Sequence, residues 1–143
     1  MEKAATYTKK IQASTENLAE VREFVSKHAT DHGFSKQNIT DIRLAVDEAC
    51  TNIIKHAYKY DKSKVVSIEL EFEDDQLIVL LKDNGVGFNP DSYEKPNLPE
   101  QIKKKKRGGM GVHLMKNLMD KVIYKNIDGK NILYMCKNRD QSF

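Results

Sequence analysis

The chain has 143 residues, enough for one domain that buries about two-thirds of its unfolded surface. Its 39% apolar and 31% charged residues fit a globular protein with a well-covered surface, and no apolar run reaches the length of a membrane span. A net charge of +3 sets up no global field for nucleic acid, and Cys50 and Cys136 are too few for a disulfide framework. Both cysteines lie in apolar surroundings and the N-terminus lacks the apolar core of a secretion signal, so reduced thiols in a cytoplasmic protein are expected.

Residues 6–13 read as a strand polar enough for a sheet edge. Ser14 is a helix-cap candidate. After it, Leu18, Val21, Val25, His28 and Ala29 recur at helical spacing until Gly33 closes an amphipathic helix of about four turns. His28 lies on the apolar flank and reads as a packed side chain. Arg22, Glu23 and Lys27 point elsewhere, to solvent or a partner protein.

Ser35 caps a second predicted helix over 37–60. Ile39, Ile42, Val46, Ala49, Cys50, Ile53, Ile54 and Ala57 cover one broad face of it. Asp41, Glu48, Asn52, Lys55 and Lys59 form the opposite stripe. Glu48 and Asn52 are four apart, so their side chains are neighbours. A solvated face is the bland reading. Against it, an asparagine inside a helix carries a propensity cost with no obvious packing benefit.

Residues 64–73 alternate Val66, Ile68, Leu70 and Phe72 against Ser67, Glu69, Glu71 and Glu73, the pattern of a half-buried strand. Asp74-Asp75-Gln76 is a turn. A nearly all-apolar strand over 77–81 follows, ends at Lys82 and Asp83, and completes an antiparallel hairpin. The chain then reads Asp83-Asn84-Gly85-Val86-Gly87-Phe88. Glycine after a strand is most often a plain turn, yet two glycines behind a carboxylate suit a backbone that lets a ligand approach closely.

All three prolines fall in the polar stretch 89–108, which excludes a continuous helix or central strand and reads as a lid. It ends in the basic run Lys103-Lys104-Lys105-Lys106-Arg107. Gly108-Gly109-Met110-Gly111 then feeds a helix carrying Val112, Leu114, Met115, Leu118 and Met119, with both later methionines read as core. A glycine turn entering a helix leaves N–H groups unpaired at the positive end of the dipole, a natural phosphate cradle. A last hairpin spans 122–127 and 132–137 around Asp128-Gly129-Lys130. The order predicts a single α+β domain over 1–143. Its architecture is a two-layer sandwich, a mostly antiparallel mixed sheet with helices on one face and a lid.

Together, three of these segments resemble the ATPase fold shared by gyrase, histidine kinases and a heat-shock chaperone. Glu48-Ala49-Cys50-Thr51-Asn52-Ile53-Ile54-Lys55-His56-Ala57-Tyr58 resembles the first motif of that superfamily, Asp83 to Phe88 the second, and Arg107-Gly108-Gly109-Met110-Gly111 the third. The form Glu-Ala-Cys-Thr-Asn followed by Lys-His-Ala-Tyr is most like the small serine-protein kinases that act as anti-sigma factors in bacterial partner switching. The resemblance implies ATP and Mg²⁺ as cofactors. It makes Asn52 the Mg²⁺ ligand, Asp83 the acceptor for the adenine amino group, and Gly85 and Gly87 the close approach to nucleotide. Gly109 and Gly111, with Met110 between them, would serve the phosphates, Arg107 the γ-phosphate charge, and Glu48 the serine proton. Thr51 and Lys55 would line the pocket.

The same resemblance implies an antagonist protein as the serine acceptor, a sigma factor as the competing partner, and a homodimer to which the edge near Thr6 contributes. No separate helical domain carries a phosphoacceptor histidine, and His28, His32, His56 and His113 fit within the ATPase domain, His113 either near phosphate or simply packed. An ATP-gated binding switch without phosphoryl transfer is the alternative from another class. Nucleic-acid binding through the basic run is disfavoured by the lack of aromatic interleaving, and neither nucleic acid nor membrane is expected as a partner.

Overall fold

The computed structural model describes residues 4–85 and 108–140, and of 108–112 the backbone alone. Strand β1 (Ala5–Gln12) leads through a short 3-10 turn into helix α1 (Leu18–Asp31), followed by α2 (Lys36–Asn52). Strands β2 (Val65–Glu73) and β3 (Gln76–Asp83) come next, then α3 (Gly108–Leu118), β4 (Lys121–Ile127) and β5 (Lys130–Asn138). The sheet order is β1-β2-β3-β5-β4, and every described pairing is antiparallel. The expected mostly antiparallel α+β sandwich is thus present, with hairpins β2–β3 and β4–β5 as its units. The latter turns through Asp128 and Gly129, both at positive φ, the conformation a tight primed turn requires.

Alternation decides which face is covered. Val66, Ile68, Leu70 and Phe72 of β2 are buried, as are Leu77, Val79 and Leu81 of β3 and Leu133 and Met135 of β5. They pack with Val21 and Val25 of α1, Ile42, Val46 and Ala49 of α2, and Met115 and Met119 of α3 in one core. Tyr7 shares the inner face at the β1 edge, where its ring stacks on His28 at 3.7 Å. His28 is therefore the packed histidine the spacing predicts, and burial lowers its pKa. Burial pushes the Cys50 thiol up to about 12, which leaves it inert; both cysteines are free and buried. No described helix is long and apolar enough to cross a membrane.

Three sequence expectations change. Ser14 caps no helix: its hydroxyl donates to Glu16 Oε1 at 3.2 Å instead, and α1 begins only after Asn17. Arg22 does not point away from the fold: its Nε and Nη2 donate to both Asp47 carboxylate oxygens, at 2.9 and 3.2 Å, and clamp α1 to α2. The helix expected over 37–60 also ends early. Ser35 caps it as predicted, accepting from the Asn38 N–H, but the α-helix stops at Asn52 and Ile53–Ala57 form a π-helical turn. Lys59 and Tyr60 then adopt positive φ, which stops the rod without a glycine.

Lys137 is the side chain that ties the layers together. Its Nζ donates to Asp41 of α2 at 3.2 Å and to the Leu118 carbonyl at the end of α3 at 2.5 Å. A cation there also meets the negative end of the α3 dipole. Lys137→Ala strands a half-buried carboxylate and a terminal carbonyl, so urea denaturation is expected to show a loss of about 3 kcal/mol. Lys9→Ala, which breaks the exposed Lys9–Glu20 pair, should cost under about 1 kcal/mol.

Candidate active site

The site is built where β3 ends against the end of the α2 rod. Asp83 is the last residue of β3, and its Oδ1 accepts from the Gly85 N–H at 2.9 Å and from Asn131 Nδ2, also at 2.9 Å. Asn131 stands directly opposite Asp83 in the β3–β5 ladder and is almost fully buried. Its Nδ2 also donates to the Gly85 carbonyl at 3.1 Å. Its Oδ1 accepts from the Tyr124 hydroxyl at 2.5 Å and from Asn126 Nδ2 at 2.7 Å. One oxygen of Asp83 is thus fixed from two sides. Among the described residues nothing bonds to its Oδ2, so the carboxylate keeps acceptor capacity for a ligand donor.

Gly85 is required by close approach. A Cβ there would lie 2.7 Å from the Ala57 carbonyl carbon and 2.9 Å from the Tyr58 ring, and closer still to the Ala57 oxygen. Tyr58 reinforces the junction. Its hydroxyl donates to the Val65 carbonyl at 2.7 Å and accepts from the Asn84 N–H at 3.2 Å. Burial raises its phenol pKa, keeping that donor protonated.

Asn52 precedes Ala57 by five residues, about 7 Å along the rod. Glu48 lies one further turn back. Both are half-buried, and neither makes a side-chain hydrogen bond or ion pair to a described residue. Thr51 is also half-buried, whereas Lys55 is exposed on the π turn. Such turns are rare and recur at functional sites. Helix α2 packs against α3, which opens with Gly108, Gly109, Met110 and Gly111 in helical conformation. His113 is half-buried and its Nε2 lies 3.0 Å from Asn117 Nδ2. Gly87, Arg107, the lid and the basic run lie outside the described residues, as do the side chains of 108–112.

Among the described residues no three His, Cys, Asp or Glu side chains gather as a metal cage. The half-buried Asn52 amide offers one oxygen, which fits an ion such as Mg²⁺ that draws its other ligands from water and phosphate. A separate cavity of about 480 Å³, lined by His32, Phe34, Phe72, Asp74 and Arg139 among others, opens at the other end of the sheet, beside the β2–β3 turn.

Asn131 and Tyr58, with Tyr124 and Asn126 behind Asn131, are members of this junction to which sequence alone assigns no role. Asn131 carries a readable signal: it occupies an inward position of β5, in phase with Leu133 and Met135. A polar side chain there needs partners.

Comparison with known proteins covers nearly the whole chain. Serine-protein kinase RsbW of Bacillus licheniformis is 37% identical over 127 residues, 85% of this chain and 79% of that protein. The RsbW of Bacillus subtilis strain 168 is 35% identical over 86% of this chain and 79% of its own length. Among solved structures, the RsbU and RsbW domains of Rv1364c from Mycobacterium tuberculosis superpose with a TM-score of 0.70 at 14% identity, covering 96% of this chain and 33% of that one. Histidine kinase AdeS of Acinetobacter baumannii gives 0.52 at 13% identity, covering 94% of this chain and 68% of that one. The model of the histidine kinase-like ATPase domain matches residues 11–137, and the chain belongs to that family.

Proposed function

We propose that this protein is an ATP- and Mg²⁺-dependent protein-serine kinase of the cytoplasm, acting as an anti-sigma factor: it phosphorylates an antagonist protein and sequesters a sigma factor. The names of its relatives support the kinase part. The observation that carries the nucleotide part is the Asp83 carboxylate, one oxygen of which is held by Gly85 and Asn131 at the end of the helix that bears Glu48 and Asn52 while the other bonds to no described residue.

In this reading Asp83 Oδ2 accepts a hydrogen from the adenine amino group, which GTP lacks at that position. Gly85 and Gly87 admit the ring, and Thr51 and Lys55 flank it. The N–H groups of Gly109, Met110 and Gly111 receive phosphate oxygens at the head of α3. Asn52 holds Mg²⁺, which when bound neutralises charge on the phosphates. Glu48 takes the proton from the acceptor serine as its oxygen bonds to the γ-phosphorus and ADP departs, with Arg107 offsetting charge on the transferred group.

Asp83→Asn tests the purine contact. A hydrogen bond to a charged acceptor contributes roughly 1.5–3 kcal/mol, so calorimetry should show ATP affinity reduced at least about tenfold and weak GTP binding unchanged. Equal losses for both nucleotides would remove Asp83 from base recognition. The activity itself is tested by a pull-down from the native cell with and without Mg-ATP, followed by incubation of the captured proteins with labelled ATP. Label on a serine of one partner is the expected result; a pure binding switch would leave every partner unlabelled.

A further inference from the structure

Asp83 closes a row of polar side chains that crosses three strands of the sheet. It stands opposite Asn131 of β5, which in turn stands opposite Asn126 of β4. The next row inward is Leu81, Leu133 and Tyr124. The polar row is therefore the rim at which the apolar inner face of the sheet gives way to the site. Tyr124 packs its ring against the core and reaches back to this row with its hydroxyl.

The Asn131 amide at the centre of the row is saturated. Its Nδ2 donates to Asp83 Oδ1 and to the Gly85 carbonyl, and its Oδ1 accepts from the Tyr124 hydroxyl and from Asn126 Nδ2. Those four bonds are all that an amide can make. At 2% exposure Asn131 has no water to replace a missing partner, so each end of the amide depends on the groups it faces. A carboxylate and a carbonyl only accept, which suits the nitrogen end. The oxygen end then needs donors, and Tyr124 and Asn126 are those donors. Turned over, the amide would aim its oxygen at Asp83, an arrangement that requires a proton on the Asp83 carboxyl. The direction of the amide thus decides whether Asp83 only accepts hydrogen or also offers one. An acceptor suits the amino group of adenine, whereas a carboxyl proton would suit the carbonyl that guanine carries in its place.

We propose that Tyr124 and Asn126 are positioning residues for the choice of purine: their hydrogen bonds hold the Asn131 amide with its nitrogen toward Asp83, which keeps Asp83 an acceptor and favours ATP. This rests on the reading of Asp83 as the purine contact. Neither residue has to touch nucleotide. Tyr124 contributes more, because its hydroxyl is carried by a ring packed on the core, whereas Asn126 is exposed and water can stand in for its amide.

The test is calorimetry of the full chain with Mg-ATP and with the Mg²⁺ complex of purine riboside triphosphate, which lacks the adenine amino group. The ratio of the two affinities reads the Asp83 contact, while general damage to the site weakens both. Wild type is expected to prefer ATP at least about tenfold. Tyr124→Phe keeps the ring and removes only the hydroxyl. It should lower that preference about three- to tenfold and leave the affinity for the analogue unchanged. Asn126→Ala should lower the preference less. Tyr124→Phe added to Asp83→Asn should lower it no further, since the contact it serves is already gone. A wild type that binds both nucleotides equally would remove the purine contact itself. A wild type that prefers ATP, with the preference intact in Tyr124→Phe or with equal losses for both nucleotides, would leave that contact standing and overturn the role of Tyr124.

Discussion

Glu48→Gln should slow phosphoryl transfer to the acceptor serine by about 10²–10⁴ while ATP affinity stays near wild type. The substitution keeps shape and hydrogen-bonding length and removes only the ability to accept a proton. Glu48 is half-buried on α2, has no described partner to stabilise, and lies one turn from Asn52. The loss therefore belongs in kcat and not in nucleotide binding. Single-turnover transfer measured beside ATP calorimetry separates the two. Unchanged transfer would mean that Glu48 is not the base, and a parallel fall in ATP affinity would give it a binding role instead.

Gly85→Ala has the second large effect. The added methyl would meet the Ala57 carbonyl and the Tyr58 ring, and a carbonyl cannot rotate aside as a flexible side chain can. Overpacking of this kind costs about 1–3 kcal/mol, so denaturant titration should show a loss near the top of that range. Relief requires the β3 end to move away from the α2 rod. That displaces the Gly85 N–H and carbonyl that hold Asp83 and Asn131. ATP affinity is expected to fall by at least about 30-fold. A variant with wild-type stability and affinity would show that the contact is not tight in solution.

The fold was legible because its strands announce themselves. The period-two pattern of Val66 to Phe72 and the apolar run before Asp83 set the register that the β2–β3 hairpin adopts. The Ser35 cap and the Asp128-Gly129 turn obey local rules, whereas Ser14 spends its hydroxyl on Glu16 and caps nothing. The end of α2 was not legible. The π turn over Ile53–Ala57 keeps the same apolar residues buried, so a helical periodicity extends past the point where the α-helix stops. Arg22 and Asp47 are far apart in sequence, and only the crossing of α1 on α2 brings them together.

The site divides in the same way. Asp83 and Gly85 were readable as a carboxylate and a close-approach glycine, but the neighbours that exclude a Cβ at Gly85 are the chain's own Ala57 carbonyl and Tyr58 ring rather than the ligand that the sequence suggests, and Asp83 accepts from the chain's own Gly85 N–H and Asn131. Asn131 was not assigned, although its inward phase on β5 marks it. Its partner Asp83 is fixed by strand pairing across the sheet, which no local pattern encodes.

An amide NMR titration with a non-hydrolysable Mg-ATP analogue tests most directly whether nucleotide sits at the junction of β3, α2 and α3. The largest shifts are expected at the Gly85 amide, the side-chain amides of Asn52 and Asn131, and the amides of Gly109 to Gly111. Shifts gathered around His32, Phe34 and Phe72 at the far end of the sheet, with Gly85 and Asn52 unmoved, would contradict the account.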